Sequence, residues 1–200
     1  MKLFVALVPP KEVVNCIQNL QVDAKRGLPA HLVSDERKTT GEHFRVPHSP
    51  WRMAEVQKLH LTLRFLGDEV THHKSDDIMR ALGEIKHSPF DIECAGIGGF
   101  PKENGAKVLW AGAKSNEMRA LAKKIDGKMG EIGFGEQSTF SPHITIARCK
   151  FPSGISDFLQ KNRERVWCPQ KWRAESFSLI ESVHVLGGHE YKTLQSYSLI

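Results

Sequence analysis

The sequence predicts an α+β protein with two pseudo-symmetric lobes, each an antiparallel sheet backed by helices, set around a central cleft. Three observations predict it. Strand-length apolar or alternating runs recur along the chain, amphipathic helical segments separate them, and strand, helix, strand, helix, strand occurs once early and once late. Each half also carries one strand-borne His-x-Thr, at His60 and at His143. No linker composition divides the halves, so residues 1–200 read as one two-lobed domain. Its 200 residues, 40% of them hydrophobic, are enough to bury a core and exclude a disordered chain.

The elements follow in order. KLFVALV at Lys2 to Val8 reads as a buried strand stopped by Pro9 and Pro10, and Val13, Val14, Ile17 and Leu20 then recur at helical spacing up to Gly27. Residues 29–50 show neither a helical nor a strand period and read as a surface insertion of loop. KLHLTLRFLG alternates, which predicts His60, Thr62 and Arg64 on one face and Leu61, Leu63 and Phe65 on the other. A helix capped by Ser75 is expected next, with Ile78, Leu82 and Ile85 inward. Phe90 to Ile97 and Lys107 to Ala113 read as strands around a turn at Gly98 to Gly105. Met118, Leu121, Ala122, Ile125, Met129 and Ile132 mark the clearest helix, ended by Gly133. Phe140 to Lys150, Trp172 to Leu186 and Lys192 to Ile200 complete the strands.

The formal charge of +5 and pI near 9.0 favour a polyanionic partner, of which RNA is the common case. No run approaches the roughly 18 apolar residues of a membrane span, and Met1 to Pro10 lacks the layout of a signal peptide. A monomer in the cytoplasm is expected, with no membrane contact. Cys16, Cys94, Cys149 and Cys168 lie far apart with no C-x-x-C spacing, and all four read as reduced thiols.

A lone histidine on a strand is more often structural than chemical. Two strand-borne His-x-Thr motifs with apolar flanks are improbable by chance. Opening a cyclic phosphodiester needs a base for the attacking water and an acid for the departing ribose oxygen, and two imidazoles in opposite protonation states supply both near neutral pH. A threonine two residues further on shares the histidine's face and offers its hydroxyl to a non-bridging phosphate oxygen. Nothing in this scheme needs a metal or a cofactor, and the sequence shows no carboxylate cluster to hold one. Adjacent His72 and His73 diverge in direction and read as surface histidines, not a metal pair.

KLFVALVPP, HLTLRFLG, GIGGFP, KVLWAG, SPHITIAR, FSLIES and GHEYKTLQSYSL, in that order over nearly the whole chain, resemble the RNA 2′,3′-cyclic phosphodiesterases. These are bacterial and archaeal proteins once called 2′-5′ RNA ligases, within the two-histidine phosphoesterase superfamily. The resemblance implies that His60 donates a proton to the leaving 3′ oxygen, that His143 activates water, and that the product is a terminal 2′-phosphate. Thr62 and Thr145 match phosphate-contacting threonines. Arg148 matches an arginine five residues after the second histidine, although alternation would turn it away from His143. The partners implied are RNA ends or nucleotides bearing a 2′,3′-cyclic phosphate. Two other readings remain open at this point: ATP-independent 2′-5′ joining at the same histidines, and a non-catalytic nucleotide- or RNA-binding module. The 29–50 segment looks longer than the family's usual connection. Phe65, Phe100, Trp110 and Trp51 are candidates for stacking on a base or for the core.

Overall fold

The computed structural model describes residues 1–28, 31–34, 45–48, 51–101, 105–137, 139–153, 155–186 and 188–200. The strands are β1 (Lys2–Leu7), β2 (His31–Ser34), β3 (Arg45–His48), β4 (Trp51–Met53), β5 (Leu61–Gly67), β6 (Phe90–Ala95), β7 (Ile97–Phe100), β8 (Ala106–Gly112), β9 (His143–Ser153), β10 (Val166–Ala174), β11 (Ser176–Val185) and β12 (Gly188–Ser198). The helices are α1 (Lys11–Gly27), α2 (His72–Gly83), α3 (Asn116–Glu131) and α4 (Ser156–Asn162), with a 3-10 turn at Val56–Lys58.

An eight-stranded sheet in the order β12-β11-β1-β5-β9-β8-β7, with β4 also paired to β9, runs through the molecule. Its pairings are antiparallel. The two halves meet at a thin seam, because β5 and β9 pair only through Leu61 and Ile144. Each of these is the residue between the His and the Thr of its motif. The seam therefore gathers both motifs at the centre of the sheet.

One face of the sheet is the core. Leu3, Val5 and Leu7 of β1, Leu61 and Leu63 of β5, and Ile144 and Ile146 of β9 pack in one cluster with Ile17 and Leu20 of α1, Ile78 and Leu82 of α2, and Leu121 and Ile125 of α3. α3 illustrates the local cause: Ser115 caps it by accepting from Met118 N, and the 3.6-residue period puts Met118, Leu121, Ile125 and Met129 inside. Truncating Leu121 to alanine there costs about 2–5 kcal/mol. On the opposite face Phe4, Ala6 and Ile180 form a small separate cluster. No described helix is long and apolar enough to cross a membrane.

The structure departs from the sequence reading in several places. The second helix starts earlier, at His72: Thr71 is its cap, accepting from Lys74 N at 3.2 Å, while Ser75 is buried inside it. Gly98 and Gly99 belong to strand β7, not to a turn: they pair with Trp110 and Leu109 of β8, and glycine is needed at 98 because a Cβ there would collide with the Trp110 ring. α4, β4 and β10 were not expected; β10 pairs with β6 in a separate ladder. Within 29–50, β2 and β3 pair antiparallel where only loop was anticipated, and the rest of that segment lies outside the described residues. The thiol reading fails for one pair. α1 packs on β10 and brings Cys16 and Cys168 to a Cα separation of 5.4 Å as a disulfide, a proximity that 152 residues of separation conceal; Cys94 and Cys149 are buried free thiols.

Candidate active site

His60 and His143 are held by the same local device. Leaving the 3-10 turn, the chain places His60 Nδ1 at 2.8 Å from the Lys58 carbonyl; beyond Ser141 and Pro142, His143 Nδ1 lies 2.7 Å from the Ser141 carbonyl. A carbonyl only accepts, so each Nδ1 carries the hydrogen and each Nε2 is left to take up or release a proton. Aromatic rings bracket both imidazoles. Phe4 and Tyr191 stand at 4.8 and 5.1 Å from His60, and Phe100 and Trp110 at 5.1 and 6.2 Å from His143.

Burial among these rings lowers both imidazoles from their ordinary value, and the carbonyl bonds pull the other way. The Arg148 guanidinium lowers both further, and a charge on His143 also lowers His60. The three groups thus share one electrostatic site despite their separation in sequence.

Arg148 reaches that site because β9 is bulged. Trp110 pairs with Thr145 but Leu109 pairs with Ala147, so Ile146 is an extra residue in the ladder. Ile146 and Ala147 are consecutive buried residues, and the alternation restarts with Arg148 exposed on the face of His143 and Thr145. This removes the conflict between the alternating pattern and the expected place of Arg148.

β5 carries a bulge at the matching place. Ala6 pairs with Thr62 and Val5 with Arg64, which makes Leu63 the extra residue. The strict alternation expected here is therefore corrected beyond Thr62. Arg64 turns into the core face at 5% exposure, and Phe65 emerges on the face of Thr62 at 45%. Buried Arg64 binds Asp126 Oδ1 at 2.8 Å and donates to the Gly135 carbonyl. Asp126 also accepts from Gln137 N at 3.1 Å, and the Gln137 amide donates to the Leu63 carbonyl at 3.3 Å. The segment that leads into Ser141 and His143 is thereby tied to the strand that carries His60.

Thr62 and Thr145 are half-buried on the open face. The antiparallel seam sends His60 toward the Thr145 side and Thr62 toward the His143 side. Among the earlier candidates, Trp51 is buried in the core, and His72 and His73 are exposed in the first turn of α2. Among the described residues no group of three or more His, Cys, Asp or Glu comes together to hold a metal. The sequence reading did not single out Phe4 or Tyr191, which only the sheet order brings beside His60. The carbonyl anchors two residues before each histidine were missed as well, although the repeated spacing was there to find.

The comparisons agree with this geometry. Residues 10–185 match the model of the 2′-5′ RNA ligase superfamily. The RNA 2′,3′-cyclic phosphodiesterase of Methanocaldococcus jannaschii is 32% identical over 67% of this chain and 72% of its own. The Thermus thermophilus protein of the same name is 29% identical over 100% of this chain and 90% of its own. A crystal structure of a Thermus thermophilus protein superposes with a TM-score of 0.74 at 28% identity, covering 100% of this chain and 98% of that one. With two strand-borne His-x-Thr motifs meeting at the seam of one antiparallel sheet, the chain belongs to the 2′-5′ RNA ligase superfamily.

Proposed function

We propose that this protein hydrolyses the 2′,3′-cyclic phosphate of RNA ends to a terminal 2′-phosphate. The observation that carries the reading is the matched pair of imidazoles, each with Nδ1 tied to a carbonyl and Nε2 free for proton transfer, under the shared charge of Arg148. His143 Nε2 takes the proton of water as its oxygen attacks phosphorus. The bond from phosphorus to the 3′ oxygen breaks, and His60 Nε2–H protonates that oxygen. Solvent exchange then restores the two protonation states.

Thr62 and Thr145 donate to the non-bridging oxygens, and Arg148 meets the phosphate charge. This assignment makes the reaction independent of metal and cofactor. Both histidines, both threonines and Arg148 come from a single chain, so a monomer suffices for the proposed reaction on RNA ends. Joining of ends through a 2′-5′ bond follows the same path with a 5′-hydroxyl in place of water: its oxygen attacks phosphorus as His143 takes its proton, and the 3′ oxygen leaves protonated by His60. Phe100 and Trp110 beside His143 favour it as a second reading, since they offer a wall on which an acceptor nucleoside can stack.

The test is turnover of a 2′,3′-cyclic mononucleotide and of an oligoribonucleotide with a cyclic end, in excess EDTA, with the product followed by phosphorus NMR. The expected product is the 2′-monoester. A 3′-monoester, or activity abolished by EDTA and restored by zinc or manganese, would sink the mechanism.

A further inference from the structure

Beside His60 lies a cavity of about 380 Å³ for which the mechanism has no use. It shares a wall with the site: Tyr191 lines it with its ring 5.1 Å from His60, and so does Lys58, whose carbonyl holds His60 Nδ1. We propose that this cavity receives the base of the nucleotide that precedes the cyclic-phosphate terminus. The inference rests on the function proposed above, and specifically on His60 as the acid.

The direction follows from the chemistry. The leaving 3′ oxygen belongs to the terminal ribose, so the group that protonates it marks the ribose side of phosphorus, and His143 marks the water side. The RNA chain continues from that same ribose through its 5′ oxygen. The preceding nucleotide therefore lies on the His60 half, where the cavity opens.

The lining suits a base better than a phosphate. Lys58 is the cavity's lysine, and its ammonium is already met by Glu55 at 2.8 Å, with Glu190 adding a further negative charge. Tyr191 is 37% exposed, and His189 already stacks on His184 at 4.4 Å and 7°, so a base inserted here extends an existing stack. Val185 and the fully exposed Leu186 supply apolar surface, while Gln57 and Glu190 offer acceptors to the amino and imino groups on a base edge.

The experiment compares binding of a 2′-nucleoside monophosphate with that of a trinucleotide ending in 2′-phosphate, by fluorescence anisotropy and competition. The wild type should bind the trinucleotide about tenfold more tightly, within the range of one stacked base. Val185→Trp, which fills the cavity, and His189→Ala, which removes a stacking face, should abolish that preference. Mononucleotide affinity and turnover of the cyclic mononucleotide should stay within about twofold. Equal affinities in the wild type, an intact preference in both variants, or parallel loss of both affinities would each overturn the proposal. If the wild type turns over neither cyclic substrate, the proposed function fails, and the binding comparison still decides the subsite.

Discussion

The two motif strands are near copies through their fourth residue, with leucine exchanged for isoleucine, and part company at the fifth and sixth. His60-Leu61-Thr62-Leu63 and His143-Ile144-Thr145-Ile146 share the histidine, the threonine, the carbonyl anchor and a bulge at the fourth residue. The next two residues are Arg64 and Phe65 in β5, but Ala147 and Arg148 in β9. Since both bulges invert the alternation, the fifth residue is buried and the sixth is exposed on the open face of the sheet. An arginine at the fifth place, Arg64, ties β5 to Asp126; an arginine at the sixth, Arg148, charges the cleft. One residue of offset thus separates a structural guanidinium from one that acts on both imidazoles.

The largest test removes what the strands share. His60→Ala and His143→Ala should each lower turnover by about 10²- to 10⁴-fold, the usual range for loss of a general acid or base. The double variant should be much less than multiplicatively worse, because groups acting as one unit are not additive. Near-wild-type turnover in either single variant would end the acid–base assignment.

Removing what only β9 has should cost less and leave a signature in pH. Both histidines are lowered in the free protein, so the bell of kcat/KM, which needs His60 protonated and His143 neutral, should sit on the acid side of ordinary imidazole titration. Its limbs belong to the coupled pair. Arg148 lowers both groups, so Arg148→Ala must let both rise and move the bell to higher pH, with kcat/KM down about 10- to 100-fold. Arg148→Lys should hold the bell in place. A bell that does not move in Arg148→Ala would show that its charge is not felt at the imidazoles.

This comparison also explains what could be read from residues alone. The α+β class was legible from periodicity and element order, and the shared face of each histidine and its threonine was legible because both lie before the bulge, where the period of two holds. Beyond Leu63 and Ile146 each strand has shifted by one residue, and a face assignment from alternation necessarily reverses. Arg64 was misplaced for that reason; Arg148 was placed only by its likeness to a family arginine. The aromatic bracket of His60 was not legible, since Phe4 and Tyr191 lie on β1 and β12 and meet only through the order β12-β11-β1-β5. The bond between Cys16 and Cys168 was hidden for the same cause: α1 and β10 are neighbours in space alone.

Arg64→Ala should act on stability before chemistry. Breaking a buried ion pair costs about 3–5 kcal/mol, and because Asp126 keeps 28% side-chain exposure, about 2–3 kcal/mol is expected here by urea unfolding. At temperatures where the variant is folded, its pH bell should match the wild type, unlike that of Arg148→Ala. A shifted bell with unchanged stability would invert the roles given to the two arginines.

The smallest effect is expected where the strands differ at the site itself. Phe65 occupies the sixth position, the counterpart of Arg148, with Lys2 Nζ 5.4 Å from its ring centre and the Lys2 ammonium 2.8 Å from Asp68. Phe65→Ala removes a ring that is 45% exposed, so turnover of a cyclic mononucleotide should change by no more than about twofold. Phe65→Arg is the sharper experiment, because it gives β5 the charge that β9 already has. If the bulges make the sixth positions equivalent, the new guanidinium faces the same cleft and disfavours both imidazolium forms. The kcat/KM bell should then move to still lower pH, opposite in sign to Arg148→Ala. Inorganic phosphate should inhibit a few-fold more strongly, an effect that fades with added salt because the side chain is solvent-exposed. A bell and a phosphate inhibition constant both unchanged in Phe65→Arg would mean that the sixth position of β5 does not look into the site, and that the likeness of the two strands stops at their threonines.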